Sequence, residues 1–189
     1  MLRILMIVQA AAALFLLSLV SSMAQGVNSY APTSFMSGSF VVGTAPTDAV
    51  CLEGNAVALR VLTIYIGGQS AAAADGKVFI VKRSSLNTGG TSTTATGAVS
   101  ADSQDSTPAG VLRLYTVNPT ALGVAAGTVA TAEFGTNTAT SVPAPALIDF
   151  RGGKLLTVRT GSEAVCLNFN GAATFAGATL DVTFVLQGF

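Results

Sequence analysis

The feature that most constrains this chain is a series of short segments in which apolar and polar residues alternate, beginning at Asp48. A period of two is typical of β-strands, whose successive side chains point to opposite faces of a sheet. The last segment shows it most clearly: we predict Leu180, Val182, Phe184 and Leu186 inward, and the residues between them outward. The chain is therefore expected to fold mainly as β-sheet.

Gly, Pro and Asn separate these segments, as in Asn118-Pro119 and Gly152-Gly153, and such residues favour turns. No convincing helical pattern follows residue 24. Many short strands joined by turns predict an all-β fold, an antiparallel β-sandwich of the jelly-roll kind. The predicted strands lie at 39–42, 48–52, 57–66, 77–83, 111–117, 128–134, 147–151, 155–159, 164–169 and 179–186.

The first 24 residues differ from the rest, because Arg3 precedes an uncharged apolar run at 4–20. Small residues before Gln25 suit a cleavage point, so we predict a hydrophobic N-terminal helix acting as a signal peptide. A retained membrane anchor, with contact through residues 4–20, stays open. We expect an extended arm at 25–47 and the β-sandwich domain at 48–189.

Composition limits the partners that the domain can bind. Half of the 189 residues are apolar and 10% are charged, whereas about a quarter are charged in typical soluble domains. Lys plus Arg equals Asp plus Glu, at nine each, so no basic field is available for nucleic acid. Such a surface favours coverage by neighbouring subunits, and we expect a homo-oligomer.

The absence of histidine excludes Ser-His-Asp triads and two-histidine zinc sites. Zinc-ribbon, phosphate-loop and nucleophile-elbow motifs are also missing from the sequence. Two carboxylates are enough for glycoside hydrolysis, but the candidate acids lie near predicted strand ends without aromatic neighbours, which indicates ordinary surface. We therefore predict no enzyme activity, cofactor, catalytic residue or metal. These acids are Glu133, Asp149, Glu163 and Asp181.

A tract rich in Ser, Thr, Gly and Ala extends from Ser84 to Pro108. A loop of this length is either functional or a mobile surface segment, and the composition favours the second. Asp102 and Asp105 lack the other oxygen ligands that a calcium site needs. The charges just before the tract, Lys82 and Arg83, are expected to be solvated strand ends.

Two nearly identical segments bracket the strand-rich region: 48–52 and 163–167 each have an acidic residue followed by Ala-Val-Cys-Leu. We expect them to be neighbouring strands of a single domain. They contain the two cysteines of the chain, Cys51 and Cys166, which form either a disulfide or two buried thiols. The sequence leaves both states open, because a bridge must meet a narrow geometry.

Several stretches resemble β-rich structural proteins encoded by tailed phages and prophages. They are 43–52, 87–92, 115–123 and 167–171, and the resemblance covers Gly43 to the C-terminus. It implies a role on the virion surface, in head decoration or fibre attachment. A secretory leader is a departure, because particle components are assembled in the cytoplasm.

Two functions are therefore carried forward. The first is a non-enzymatic structural sandwich of a phage or prophage virion, which acts through contacts with other copies or with capsid subunits. The second is an exported or membrane-tethered bacterial binding module that uses its long Ser/Thr/Gly loops. Only Tyr30, Tyr65 and Tyr115 are amphipathic aromatic residues, so the sequence identifies no glycan or other small ligand.

Overall fold

The computed structural model describes residues 33–71, 74–95, 97–105, 107, 109–136, 145–152, 155–159 and 161–188. The predicted leader helix or anchor and the first part of the arm lie outside these residues. Twelve strands account for most of the described chain. They are β1 (Thr33–Val41), β2 (Asp48–Gly54), β3 (Leu59–Gln69), β4 (Ala74–Arg83), β5 (Thr91–Thr94), β6 (Val99–Ser100), β7 (Gly110–Val117), β8 (Ala125–Thr136), β9 (Ala146–Asp149), β10 (Leu156–Val158), β11 (Ala164–Asn168) and β12 (Thr179–Gly188).

The strands form two sheets. Sheet A has the order β10-β3-β12-β1-β6, and β9 follows β10 along the same edge of β3. Sheet B has the order β5-β7-β2-β11-β4-β8. All pairings are antiparallel, and the two sheets pack against each other around one core. The prediction of an all-β chain with antiparallel sheets is confirmed.

The pairing of strands is nested along the chain. β1 pairs with β12, β2 with β11, β3 with β9 and β10, and β4 with β8. Between β4 and β8 the chain makes an excursion that adds β5 and β7 to one edge of sheet B and β6 to one edge of sheet A. The two cysteine-containing strands, β2 and β11, are neighbours, as predicted.

The inward faces of both sheets supply the core. In β12 the alternation is as predicted, with Leu180, Val182, Phe184 and Leu186 buried. These side chains pack with the inward residues of β2, β4, β7 and β11 from sheet B. The largest fully buried side chains are Phe169, Phe175, Phe184, Met36, Leu52, Leu59, Ile64, Ile66, Ile80, Leu112, Leu167 and Leu180.

A 3-10 turn at Ala173–Phe175 is the only helical segment in the described part of the chain. It inserts Phe175 into the core, where the ring lies 5.3 Å from that of Phe134 and 5.0 Å from that of Phe169. Gly76 leaves room for it, because a Cβ at this position would come within 2.6 Å of the Phe175 ring. The aromatic cluster therefore requires a glycine in β4.

The sandwich starts earlier than predicted. Residues 33–41, assigned to the extended arm apart from a short strand at 39–42, form β1 and pair along their whole length with β12. Met36 and Phe40 are buried, while Phe35, Ser37 and Val41 face outward. The interposed Ser and Gly residues hid this alternation in the sequence.

The tract from Ser84 to Pro108 is also more ordered than predicted. It contains β5 and β6, and Thr88 forms a backbone bridge with Ala121. Its short strands are rich in Ser and Thr, so they lack the apolar alternation that identified the others. Within the described residues, 101–105 remain a solvent-exposed turn, in which the Asp102 carboxylate accepts a hydrogen bond from the Gln104 N–H.

No helix in the described ranges has the length and apolar character needed to cross a membrane.

Candidate functional site

The two cysteines lie in the middle of β2 and β11, directly opposite each other, and are joined by a disulfide bond. Their Cα atoms are 4.1 Å apart. Because Val50, Leu52, Val165 and Leu167 point into the core, the cysteines point to the outer face of sheet B. The structure therefore has the first of the two states that the sequence left open.

The chain itself covers this disulfide. Tyr115 of β7 and Leu86, from the segment after β4, pack against the two cysteines. Cys51 is 1% exposed, Cys166 is fully buried and Tyr115 is 4% exposed. Reductants and other reagents in solution consequently have no direct path to the sulfur atoms.

Next to the disulfide lies Asp48, a fully buried carboxylate at the start of β2. Arg83 binds it in a bidentate manner, through Nε at 2.9 Å and a terminal nitrogen at 2.8 Å. The side-chain amides of Asn87 and Asn168 donate to it at 2.9 and 2.6 Å. Each carboxylate oxygen accepts two hydrogen bonds, which uses the full accepting capacity of the group.

The same residues hold two surface segments on sheet B. The remaining guanidinium nitrogen of Arg83 donates to the carbonyl oxygen of Gly123 at 2.9 Å, and the Gly123 N–H donates to Asn87 Oδ1 at 2.7 Å. The Asn87 amide also approaches Cys51 Sγ at 3.3 Å. A Cβ at Gly123 would collide with the Ser85 carbonyl oxygen, so only glycine allows this close approach.

We call Asp48, Arg83, Asn87, Asn168 and the Cys51–Cys166 disulfide the clamp. It joins β2, β4 and β11 to the segments around residues 87 and 123. Buried charges are tolerated only when they are paired and hydrogen-bonded, and both conditions hold for Asp48 and Arg83. The expectation that Arg83 is a solvated strand end was wrong, because 6% of this residue is exposed.

The clamp has the composition of a metal site but not its chemistry. One ligand atom each from Asp48, Cys51 and Cys166 lies within 4.8 Å of the others. However, the sulfur ligand for a metal is a thiolate, and these sulfurs are bonded to each other. The carboxylate is already saturated by Arg83 and the two amides. In this redox state the group cannot hold a cation without losing its own hydrogen bonds.

A second ion pair lies on the same face. Arg113 Nε donates to both carboxylate oxygens of Glu53 at 2.8 Å, and the Glu53 side chain is 5% exposed. The hydrogen bond to Glu53 raises the pKa of Arg113, although burial opposes it. Burial raises the pKa of Tyr115, and the nearby carboxylate of Glu53 raises it further, against the opposing effect of Arg113.

The four acids considered for hydrolysis are distributed over both sheets. Asp149 and Asp181 lie on the outer face of sheet A, where Arg151 lowers the pKa of Asp149 through a side-chain hydrogen bond. Glu133 lies in β8, directly opposite Lys77 of β4. Glu163 precedes β11 and forms ion pairs with Lys82 and Arg159.

A cleft lies elsewhere, at one end of the β4–β8 pair. It has a volume of about 530 Å³, and its lining includes Asp75, Lys77, Glu133, Phe134 and Pro145. Lys77 and Glu133 face each other across the pair, so the cleft has opposite charges close together, with Asp75 as a second acid. The described residues that line this cleft include no serine, threonine or cysteine.

The sequence pointed to the cysteines of the clamp but missed its polar part. The sequence identifies Asp48 only as the first residue of a repeated segment, and it predicted that Arg83 is exposed to solvent. Asn87 and Gly123 have no signal of their own, because their role depends on pairing between segments 36 residues apart. Asp48 and Glu163 are equivalent in the repeat but differ in the fold, because Asp48 is fully buried and the Glu163 side chain is 16% exposed.

Comparison of the chain with protein-family models, with curated proteins and with solved structures finds no match.

Proposed function

We propose that this protein is a non-enzymatic structural β-sandwich of a phage or prophage virion surface, a decoration or fibre-like subunit that acts through contacts with other subunits. The observation that carries the proposal is the clamp. The most site-like group of side chains in the described residues uses its hydrogen-bonding capacity on the chain itself. It stabilises the fold and offers nothing to a substrate.

We also propose that the sandwich is a jelly roll. In that fold the first strand pairs with the last, the second with the next to last, and so on inward, while successive strands alternate between two sheets. The nested pairs β1–β12, β2–β11, β3–β9/β10 and β4–β8 support this assignment. Jelly rolls are common in viral capsid proteins, so the topology is consistent with the proposed role.

The buried disulfide supports a protein that works outside a reducing cytosol. Disulfides persist in secreted proteins, in the periplasm and on virion surfaces. A covered bridge of this kind suits a subunit that must remain folded after release from the cell. The low charge of the chain, 10% of its residues, suits a surface that is partly covered by neighbours.

Purified particles from the host that carries the gene provide the test. We expect mass spectrometry of gradient-purified particles to detect peptides of this chain in a constant ratio to the major capsid protein. Deleting the gene should then remove the protein from particles without removing the capsid. Its absence from particles, together with recovery from the periplasm with Gln25 at the N-terminus, would contradict the proposal.

The disulfide and the predicted leader also favour a second candidate, an exported or membrane-tethered binding module. In that case the exposed turn at 101–105 is the best candidate for contact with a ligand, because residues 85–88 are engaged in covering the clamp or in backbone pairing. The same fractionation separates the two functions. Cell-envelope fractions that contain the protein, with particles that lack it, would favour the binding module.

A further inference from the structure

The outer face of sheet A differs from that of sheet B, because no segment in the described ranges packs over it as residues 84–88 and 118–124 do on sheet B. Five of the nine large apolar side chains exposed in these ranges belong to this face. They are Phe35, Val41, Tyr65, Val99 and Leu147, with exposures of 39%, 54%, 44%, 60% and 57%. We call this surface the open face.

The strand register places four of these side chains in two adjoining rows, while Val41 lies apart from them, opposite Thr179. Val99 and Val185 lie directly opposite Phe35 on its two sides. Tyr65 and Leu147 are directly opposite each other. Direct partners in an antiparallel pair are about 5 Å apart, so each of these two groups is a continuous apolar patch. Such patches on soluble proteins mark interaction sites.

Several polar groups of the open face can be covered at low cost, although Asp181 is also exposed there. Ser37 Oγ and Thr183 Oγ1 form a hydrogen bond with each other at 2.9 Å, so removing water leaves neither hydroxyl unpaired. Thr63, between Val185 and Asp149 in the register, is already 2% exposed. Asp149 and its partner Arg151, at the margin, have opposite charges.

The size of the open face matches an interface between two subunits. The strands β6, β1, β12, β3 and β9 have 2, 9, 10, 11 and 4 residues. At about 3.3 Å per residue and about 4.8 Å between strands, they cover on the order of 600 Å². This value lies at the lower end of the roughly 600–1,000 Å² per partner of specific interfaces. One sheet can pack on another about 10 Å away.

We propose that the open face binds the same face of a second copy of this chain and forms a two-fold symmetric dimer. The inference rests on the proposed structural role and names the surface through which subunits would meet. A second copy fits because the charges of the open face balance. Asp149 pairs with Arg151, and the outward positions of β3 and β12 add one base, Arg60, and one acid, Asp181. Two identical faces therefore meet without a net repulsion.

The test is the mass of the full chain, as its producing host processes it, by light scattering and sedimentation over a wide concentration range. We expect a dimer that a Phe35→Thr and Tyr65→Thr double variant converts to a monomer, raising the dissociation constant at least tenfold. Threonine retains a strand preference, so the urea midpoint should stay unchanged at concentrations low enough for the wild-type protein to be monomeric. The matched control is Val117→Thr with Val124→Thr, which changes exposed apolar residues outside the open face and should leave the dimer intact.

Three results would overturn the proposal. They are a wild-type monomer at every concentration, a dimer that survives the Phe35 and Tyr65 changes, and equal loss of the dimer in the control. A wild-type monomer that co-sediments with phosphatidylcholine vesicles, and loses this binding in the double variant, would assign the face to lipid instead. The presence of the protein in purified particles tests the proposed virion role separately. A dimer that is absent from particles would contradict the virion role and support the dimer. A monomer found in particles would support the virion role and contradict the dimer.

Discussion

The two outer faces of the sandwich are built from the same alternating strands but end in opposite states. On sheet B, Cys51, Tyr115 and Cys166 are buried beneath segments of the chain, and Asp48 and Arg83 are paired there. On sheet A, Phe35 and Tyr65 remain exposed in the centre of the sheet. The strand pattern alone therefore does not determine whether an outer face is closed or open.

The difference follows from where the connections run. On sheet B, the segments after β4 and before β8 cross the outer face and are held there by Asn87 and Gly123. Gly123 is buried in the second segment, and the clamp provides partners for both of its backbone groups: Asn87 accepts from its N–H and Arg83 donates to its carbonyl oxygen. In the described residues, sheet A receives no comparable connection. Within the described residues, one outer face is covered by the chain, while the other keeps exposed apolar side chains.

We call the covered outer face of sheet B the closed face. The largest effect on stability is expected from breaking the ion pair between Asp48 and Arg83 on this face. Asp48→Asn leaves the Arg83 charge buried without a carboxylate, which should lower the free energy of unfolding by about 3–5 kcal/mol. Urea unfolding followed by circular dichroism measures it. The matched change on the open face, Asp181→Asn, should leave the midpoint unchanged, because Asp181 is exposed. Equal effects at the two positions would remove the distinction between the faces.

A smaller loss is expected when the disulfide is removed. The double variant Cys51→Ala and Cys166→Ala releases a crosslink between residues 115 apart, which the chain-entropy model values at roughly 4 kcal/mol and experiments often at less. We expect the urea midpoint to fall without a change of fold. Before denaturation, alkylation of the wild-type protein in mild reductant should label neither cysteine. Rapid labelling would contradict the burial of the bridge.

The closed face should also make stability depend on alkaline pH. The pKa of Tyr115 is raised from 10.0, first by burial and then by Glu53. Its contribution is fully present below the unfolded pKa and is lost as pH rises through the higher folded pKa. Unfolding measured from neutral pH upward should show this loss, and Tyr115→Phe should weaken it. An identical profile in the variant would assign the loss to other groups.

The smallest effect is expected on the open face itself. Phe35→Thr should change the unfolding free energy of the monomer by about 0.5 kcal/mol or less, because the side chain is partly exposed already. Its neighbour Met36 points into the core, and Met36→Ala should cost about 2–5 kcal/mol. Measurements at low protein concentration keep any dimer out of the comparison. Similar costs would mean that residue 35 is covered within the monomer.

The sequence predicted the fold where local pattern and packing agree. The alternation in β12 and the pairing of the two cysteine-containing strands were correct because apolar side chains must reach the core. The first six residues of β1 and the whole of β5 were missed because Ser, Gly and Thr occupy many of their positions. These strands are held by backbone pairing with β12 and β7, which a single-strand pattern does not record.

The site was harder to predict than the fold. A carboxylate is normally exposed, so nothing local indicated that Asp48 is buried, and its three partners lie 35, 39 and 120 residues away. Contacts of this kind depend on topology. The pairing of the two cysteine-containing strands could be predicted only because the chain has just two cysteines and both lie in nearly identical segments. The open face required the register, since Phe35 and Tyr65 belong to strands separated by β12.

The position of β12 has a consequence for the order of events in the cell. This strand is the last of the described strands to leave the ribosome, yet it lies between β1 and β3 and is the partner of both. Sheet A therefore cannot assemble before β12 has been translated, and β1 must wait for residues about 150 positions later in the sequence. We expect β1 and β3 to stay exposed to chaperones until β12 has left the ribosome.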